Sequence, residues 1–286
     1  MKKSITPPYS VIGNVELIVE SLERTLAFYI DVLGFQVLEQ TNSFASLTVD
    51  GKTTLLTLEQ VKDVNPRQRT TGLYHIALLL PNRSDLANII HHFIHTSTQL
   101  QGASDHHVSE ALYLNDPEGN GIEIYIDRAP DTWKWDGDQV HMTTEALDVA
   151  DVLKDGTEQG WTGMPKDTII GHIHLQVSEL VKTREFYCDA LGFDLMLKYG
   201  SQALFVAKDG YHHHIGLNIW NSAGAPAPAE NSAGLKRFTI ILPDEKALSE
   251  TIGRLEKINA SFTKKDGNLI IKDPSGISIK LTTRGE

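Results

Sequence analysis

The sequence predicts an α+β fold made of four similar units, each with one strand, one helix and about three further strands. Two internal repeats support this prediction. The segment from Ile12 to Phe35 recurs from Ile170, with about half of its positions identical. The segment GLYHIALLLP (72–81) is matched by GLKRFTIILP (234–243). Self-similar segments indicate repeated supersecondary units, so we expect the chain to be built by repetition.

The first repeat predicts a short alternating strand followed by an amphipathic helix. Serine residues precede the helix as candidate caps, and Tyr29 lies on its apolar face. Gly34 follows the last helical turn, where glycine is favoured because it readily adopts a positive φ. A new strand then begins at Phe35, and Gly192 and Phe193 occupy the same places in the second copy.

The second repeat predicts a strand, a helix of similar length in both copies, and then a turn of the form Asp-Pro-x-Gly. These turns cover 116–119 and 273–276. Proline and glycine in this arrangement are typical of turns. Each turn leads to a final strand, IEIYI at 122–126 and ISIKL at 277–281.

Together the repeats divide the sequence into two halves joined by a connector that contains proline and tryptophan. Each half holds two βαβββ units, numbered 1 to 4 along the chain. The predicted boundaries are 1–128 for the N-terminal half (units 11–60 and 72–128), 129–167 for the connector, and 168–286 for the C-terminal half (units 168–221 and 235–283).

Charge and composition exclude several classes of protein. The 286 residues carry a formal net charge of −11, whereas nucleic-acid binding needs a basic surface. Cys188 is the only cysteine, so no intrachain disulfide can form, which suits a reducing cytoplasm. No apolar run is long enough to span a bilayer, and residues 1–10 lack the apolar segment of a signal peptide. We therefore expect a cytoplasmic protein with no nucleic-acid or membrane partner.

The pattern resembles the vicinal oxygen chelate superfamily, which includes glyoxalase I, bleomycin-resistance proteins and type I extradiol dioxygenases. The FY…LGF helix end and the DP-x-G…E turn carry the resemblance, which extends over nearly the whole chain. It implies two curled mixed β-sheets with helices outside, each sheet formed by two units. It also implies a metal on the concave face, with ligands on the first and last strands of units.

The resemblance places candidate ligands at equivalent positions of the units. The first-strand positions hold Asn14, His75, His172 and Arg237, and the last-strand positions of units 2 and 4 hold Glu123 and Lys280. Arginine and lysine repel a metal ion, and asparagine is a weak ligand. His75, Glu123 and His172 remain as the predicted metal ligands. Two histidines and one carboxylate with open positions are typical of non-haem Fe²⁺ oxygenases, and the same set accommodates Mn²⁺.

These ligands make a demand on the topology of the chain. His75 and Glu123 belong to unit 2, whereas His172 belongs to unit 3. One complete site therefore requires unit 2 to pair with unit 3, and unit 1 with unit 4. Pairing in sequence order would instead leave His172 beside two cations, so the crossed pairing is favoured.

Unit 2 also resembles the extradiol dioxygenase signature in the segment HHVSEALYLNDPEGNGIE, which ends at Glu123. The resemblance implies active-site roles for His106 and Tyr113. Ser104 departs from the signature, and either His106 or His107 fits as the second active-site histidine. The alternative for Tyr113 is a buried core aromatic residue.

Unit 3 contains the segment HHHIGLN, which resembles the His-His pair that enters the last strand of this unit in extradiol enzymes. The resemblance implies that His213 is the catalytic acid/base, since an imidazole suits proton transfer near neutral pH. His214 is expected to point to the opposite face of the strand, and His212 to tolerate alanine. The alternative is a solvated turn in which the three histidines have no role.

The predicted function is therefore an extradiol ring-cleaving dioxygenase that uses Fe²⁺ to insert O₂ into catechol or a substituted catechol. A glyoxalase-type isomerase or lyase is one alternative, but such enzymes typically use two carboxylates. A non-enzymatic resistance protein that binds a small molecule is the other, and it would need no metal. The expected partners are a catechol and O₂, and a homo-oligomer is compatible with the sequence.

Overall fold

Two large curved mixed β-sheets with helices outside them form the protein. The computed structural model describes residues 11–265 and 268–284. The N-terminal residues 1–10, on which the absence of a signal peptide was predicted, lie outside the described residues. The predicted α+β class is confirmed.

Four units repeat the order of one strand, one helix and three strands. Unit 1 consists of β1 (Ile12–Val19), α1 (Leu22–Ala27), β2 (Gln36–Gln40), β3 (Phe44–Thr48) and β4 (Leu56–Gln60). Unit 2 consists of β5 (Gly72–Leu79), α2 (Arg83–Thr96), β6 (Gly102–Asp105), β7 (Ser109–Asn115) and β8 (Gly121–Asp127). Unit 3 consists of β12 (Ile169–Gln176), α4 (Val181–Arg184), β13 (Asp194–Tyr199), β14 (Ala203–Ala207) and β15 (Ile215–Asn218). Unit 4 consists of β16 (Gly234–Leu242), α5 (Glu245–Lys257), β17 (Phe262–Lys265), β18 (Asn268–Lys272) and β19 (Ser278–Thr283).

The connector between units 2 and 3 has short elements of its own. They are a 3₁₀ turn (Pro130–Thr132), β9 (Trp135–Asp136), β10 (Gln139–Val140), β11 (Glu145–Ala146), α3 (Val149–Val152) and a second 3₁₀ turn (Leu153–Asp155). Strands β9 and β10 form a hairpin, and β11 joins the edge of a large sheet beside β6.

The helices of units 1 and 3 end in the same way. Helix α1 continues as a π-helical turn over Phe28–Val32, and α4 does so over Glu185–Ala190. Gly34 and Gly192 follow these turns with φ of +75° and +73°, as their predicted positions after the helix require. Ser21 caps α1 by accepting a hydrogen bond from the backbone of Arg24.

The order of strands shows the crossed pairing of units. The first sheet has the order β17-β18-β19-β16-β1-β4-β3-β2 and contains units 1 and 4. The second has the order β11-β6-β7-β8-β5-β12-β15-β14-β13 and contains units 2 and 3. Two first strands meet antiparallel at each centre, β1 with β16 and β5 with β12. The predicted pairing of unit 2 with unit 3 and unit 1 with unit 4 is confirmed.

Two buried hydrogen bonds connect the units that are neighbours in sequence. Tyr29 Oη of unit 1 donates to Asp116 of unit 2 over 3.3 Å, and Tyr187 Oη of unit 3 donates to Asp273 of unit 4 over 3.1 Å. The tyrosines come from the first repeated motif and the aspartates from the second. Each half of the sequence is therefore held together by one such bond, although its two units lie in different sheets. The division at 1–128, 129–167 and 168–286 stays a prediction.

One hydrophobic cluster extends through both sheets and the helices. It includes Val15 and Phe238 from the first sheet, and Ile76, Ile124 and Ile173 from the second. Alternate residues of the central strands point into this cluster, which leaves the opposite face of each sheet to other side chains. Within the described ranges, no helix has both the length and the apolar character that crossing a bilayer requires.

Candidate metal centre

The three predicted ligands lie on adjacent strands at the middle of the second sheet. Strand β5 provides His75, its parallel neighbour β8 provides Glu123, and its antiparallel neighbour β12 provides His172. On β5 and β8 the residues next to the ligands, such as Ile76 and Ile124, enter the hydrophobic cluster. Because side chains alternate along a strand, the ligands share the other, concave face.

A β-bulge at Gly171 puts His172 on this face. Ile170 is opposite Leu78 and His172 is opposite Ala77, so the pairing register shifts between them. Without an extra residue, Ile170 and His172 would share one face of the sheet, two positions apart. A Cβ atom on Gly171 would lie 1.9 Å from Tyr125 Oη. Glycine is therefore required where the bulge passes the tyrosine.

The three ligand side chains converge on one point. Their ligand atoms all lie within 4.8 Å of one another. Glu123 Oε2 is 3.0 Å from His75 Nε2 and 3.1 Å from His172 Nε2. All three side chains are buried, with exposures of 7% for His75, 3% for Glu123 and 1% for His172. In the described part of the chain, no other set of three such residues converges in this way.

Electrostatics keep Glu123 and His172 in the protonation states that a metal ion needs. Burial lowers the pKa of His172 to about 4, although the Glu123 carboxylate opposes the shift. Burial alone would raise the pKa of Glu123, but His172 and His75 hold it well below its usual value. The site therefore presents a carboxylate and a neutral imidazole, which are the forms that bind metals.

The donor set fits a divalent metal ion. His75 Nε2 is buried and close to Glu123, yet it makes no hydrogen bond of acceptable geometry with any described residue. A buried polar atom without a partner is costly, and a shared metal ion would satisfy it together with the carboxylate. The three residues from units 2 and 3 therefore form a candidate metal site.

A cavity of about 680 Å³ opens onto this site from the concave face. His106 and Tyr113 both line it, as the resemblance implied. His106 Nδ1 donates to the backbone oxygen of Thr143 over 2.6 Å, because a carbonyl oxygen can only accept. His106 Nε2 is then the acceptor for the Tyr113 hydroxyl, 2.6 Å away. The connector thus orients His106, which in turn orients Tyr113.

Of the two adjacent histidines, His106 and not His107 reaches the cavity. His107 has a φ of +67°, and its Nε2 lies 3.3 Å from Glu145 of the connector. Tyr113 is mostly buried, and burial together with the Glu123 carboxylate raises its pKa well above the usual value. Its hydroxyl therefore stays protonated and can donate a hydrogen bond.

His213 lines the same cavity, with its ring centroid 4.1 Å from that of His172. Burial and the nearby imidazoles, His172 first, lower the pKa of His213 well below its usual value. His214 faces away from the cavity, where its Nδ1 accepts a hydrogen bond from the backbone of Lys208 over 3.1 Å. The predicted opposition of His213 and His214 matches this geometry.

The expectation that His212 tolerates alanine, and the alternative of a solvated turn, do not fit the structure. His212 is fully buried, at 0% exposure, and His213 and His214 are also buried, at 8% and 3%. Its Nε2 lies 2.9 Å from Asp127 Oδ1, and its Nδ1 lies 2.7 Å from His213 Nδ1. The segment that leads into β15 runs through the protein interior, so the His212 side chain is not exposed to solvent.

Sequence reasoning missed His174, which also lines the cavity. Its Nε2 accepts a hydrogen bond from Asn218 Nδ2 over 3.0 Å, and its ring packs 4.9 Å from that of His75. The spacing of two residues from His172 predicts a shared strand face, and this signal could have identified it. Gly216 provides room for the ring, since a Cβ there would lie 2.8 Å from it.

The equivalent place in the first sheet holds an ion pair. Arg237 Nε and Nη2 donate to the Glu16 carboxylate over 2.9 and 2.7 Å. Asn14 Nδ2 donates to Thr57 over 2.9 Å. A guanidinium that already neutralises the nearby carboxylate disfavours a second cation there.

The comparison with protein families agrees with this geometry. The sequence profile of the glyoxalase/bleomycin resistance protein/dioxygenase superfamily matches residues 11–124 and 169–281. These two ranges contain nearly all of the four units and all three residues of the candidate metal site.

Similar proteins are found both by sequence and by structure. The catechol-2,3-dioxygenase of Bacillus subtilis (strain 168) is 46% identical over 268 residues, covering 92% of this chain and 93% of that protein. The crystal structure of a putative dioxygenase from Bacillus subtilis has a TM-score of 0.64 at 14% identity, covering 97% of this chain and 86% of that one. Glyoxalase I from Zea mays has a TM-score of 0.57 at 16% identity, covering 94% and 91%. The two structures show the same fold.

Proposed function

Because the chain belongs to the glyoxalase/bleomycin resistance protein/dioxygenase superfamily, we propose that it is an extradiol ring-cleaving dioxygenase. Its reaction is the Fe²⁺-dependent insertion of O₂ into catechol or a substituted catechol. The observation that carries the proposal is the buried cluster of His75, Glu123 and His172 at a cavity that also holds acid/base side chains. The name of the Bacillus subtilis relative, 46% identical over most of the chain, supports the same reaction.

In this proposal His75, Glu123 and His172 hold the metal and leave open positions toward the cavity. When bound, Fe²⁺ supplies the redox chemistry that O₂ requires and a positive charge that attracts the oxygens of a catechol; Mn²⁺ suits the same ligands. The three side chains are buried, so packing within the sheet holds them in place. A preformed site of this kind needs little reorganisation when the metal binds.

His213 acts as the acid/base of the reaction. A catechol must lose a hydroxyl proton before both of its oxygens can approach a cation, and His213 lines the cavity next to the ligand His172. Its imidazole can accept that proton and return it later in the reaction. His213 is not needed as a ligand, because three ligands are present without it.

Tyr113 and His106 bind and orient the substrate from the other side of the cavity. The Tyr113 hydroxyl is held by His106 Nε2, and the backbone of Thr143 holds the opposite edge of that ring. Because this hydroxyl donates its one proton to His106, it presents a hydrogen-bond acceptor to the substrate in a defined direction. We assign both residues to the active site on this basis.

The glyoxalase-type alternative has less support from the cavity. Such enzymes typically use two carboxylates, and the last strand of unit 3 would provide the second. On that strand Gly216 leaves room for the His174 ring, and no carboxylate joins the three-residue cluster within the described residues. The proposal also includes a cytoplasmic location, and it is compatible with a homo-oligomer.

Oxygen consumption after anaerobic metal loading tests the proposed function. The protein is loaded with Fe²⁺ or Mn²⁺, and O₂ uptake is measured with a panel of catechols, with Glu123→Ala as the control. We expect Fe²⁺-dependent uptake, and mass spectrometry with ¹⁸O₂ should show a ring-opened product that contains both oxygen atoms. Metal binding without O₂ uptake on any catechol would favour an isomerase, and failure to bind metal would favour a resistance protein.

A further inference from the structure

We propose that Asp127 is a positioning residue that acts through His212 to orient His213 and to determine which of its ring nitrogens carries the proton. The inference rests on the proposed role of His213 as acid/base. The acidic residue lies at the end of β8, four residues after Glu123. One strand of unit 2 would thus provide both a metal ligand and the anchor for a catalytic side chain of unit 3.

The three side chains form a continuous hydrogen-bonded chain. Asp127 Oδ1 lies 2.9 Å from His212 Nε2, and His212 Nδ1 lies 2.7 Å from His213 Nδ1. Beyond His213 the chain ends at the cavity, because its Nε2 has no hydrogen-bond partner among the described residues while the ring lines the cavity wall. The chain therefore connects a carboxylate outside the cavity to one nitrogen inside it.

The chemistry of the partners gives the chain a direction. A carboxylate oxygen can only accept, so His212 Nε2 must donate to Asp127. A neutral His212 then has a lone pair on Nδ1, and His213 must donate to it from its own Nδ1. This leaves a lone pair on His213 Nε2, the nitrogen that faces the cavity. Asp127 therefore determines, through one intervening ring, that His213 presents a proton acceptor to the substrate.

The surroundings hold this chain rigidly. The His212 ring packs against Tyr211 at 4.1 Å and Trp133 at 5.2 Å between centroids. Asp127 Oδ1 accepts a second hydrogen bond, from Tyr211 Oη over 3.1 Å, and Tyr125 Oη lies 2.8 Å from that hydroxyl. Two partners that both donate keep the carboxylate oxygen in place, so its bond to His212 is not lost by side-chain rotation.

Steady-state kinetics on Fe²⁺-loaded variants test the proposal. Asp127→Asn removes the carboxylate charge, so His212 and His213 can also adopt the other neutral form, with the ring proton on the opposite nitrogen. We expect kcat to fall about 10–100-fold, as is usual when a residue that orients an active-site side chain is lost. KM for catechol and the iron content should stay unchanged. Asp273→Asn is the matched control, because it also changes an aspartate that accepts from a tyrosine, but in the turn before β19 and not at the cavity.

His212→Gln separates positioning from a structural role. The glutamine amide can still donate to Asp127 from the place of Nε2, but it provides no acceptor at the place of Nδ1. We expect the same loss of kcat as in Asp127→Asn. If His212→Gln is as active as wild type, the acceptor at Nδ1 of His212 is not needed for catalysis. This result would overturn the proposal.

A double-mutant cycle gives the sharpest kinetic result. Asp127 is proposed to act only through His213, so adding Asp127→Asn to His213→Ala should cost no further activity. Equal losses of kcat in both backgrounds would show that Asp127 acts independently of His213, and would contradict the inference.

Histidine ring ¹⁵N NMR on the full-length metal-free protein tests the same chain without any activity. The two neutral forms of imidazole have different ¹⁵N shifts, and we expect His213 to be protonated at Nδ1 in wild type but mixed in Asp127→Asn. An unchanged His213 spectrum in the variant would refute the inference. Absence of O₂ uptake by wild type would instead refute the proposed function, so the two failures are distinguishable.

Discussion

Glu123 Oε2 lies 3.1 Å from His172 Nε2, although the two residues are 49 positions apart and belong to different halves of the sequence. The antiparallel pairing of β5 with β12 and the parallel pairing of β5 with β8 bring them together. The proposed metal site therefore forms only when unit 2 and unit 3 share a sheet.

Removal of one ligand should abolish metal retention. Glu123→Ala and His75→Ala each leave two ligands on a site built for three, and we expect purified protein to lose most of its bound iron. Metal analysis after dialysis measures this. Cys188→Ser is the control and should retain iron, since no thiolate takes part; normal iron content in Glu123→Ala would contradict the assignment.

His213→Ala should separate metal binding from catalysis. The variant keeps all three ligands, so we expect normal iron content and normal binding of catechol. Turnover should fall roughly 10²–10⁴-fold, the usual contribution of a positioned acid/base. Activity equal to wild type would exclude His213 as the acid/base. A large loss of activity in His214→Ala alone would show that His214, and not His213, has this role.

His106 and His107 should differ in their effect on activity. His106→Ala removes the acceptor that holds the Tyr113 hydroxyl, and loss of one such hydrogen bond corresponds to a roughly 3–10-fold lower kcat/KM. His107→Asn is the matched variant, because asparagine tolerates the positive φ of that position. Oxygen-uptake rates compare the two, and a greater loss in His107→Asn would reverse the assignment.

Gly171→Ala should damage the metal site through the backbone. The added Cβ would lie 1.9 Å from Tyr125 Oη, so the bulge before His172 must move. Overpacking of this kind costs about 1–3 kcal/mol of stability, and we also expect weaker iron binding. Gly253→Ala is the control, since nothing lies within 4 Å of its added Cβ in α5. Urea unfolding and metal titration measure the two effects.

Asp273 should make the stability depend on pH. Burial raises the pKa of its carboxyl group to about 6, whereas the unfolded chain has the ordinary value of 3.8. The folded state therefore holds this proton more tightly, and the contribution to stability is lost as the pH rises from about 4 to about 6. Relative to Asp273→Asn, wild type should lose on the order of 2 kcal/mol between pH 4.5 and pH 7. Urea unfolding of both proteins at the two pH values measures this change. The same difference in unfolding free energy between wild type and Asp273→Asn at both pH values would contradict the prediction.

Much of the fold follows from repetition in the sequence. The copies that begin at Ile12 and Ile170 share hydrophobic periodicity, a helix end at glycine and a following strand, and such local patterns predict local structure. The crossed pairing was also predictable, but from chemistry: Arg237 and Lys280 exclude a cation, so one complete ligand set required units 2 and 3 to meet.

The sequence by itself determined the four units, and it supplied the candidates His75, Glu123, His172 and His213. Only the tertiary structure decided the contacts of His212, since its partner Asp127 is 85 residues away and no local pattern connects the two. It also decided that the bulge at Gly171 turns His172 to the face of the sheet that holds Glu123. Glycine is needed at this bulge because Tyr125 occupies the space where a Cβ would lie. Periodicity specifies which face a side chain prefers, but only packing between distant strands determines what that side chain meets.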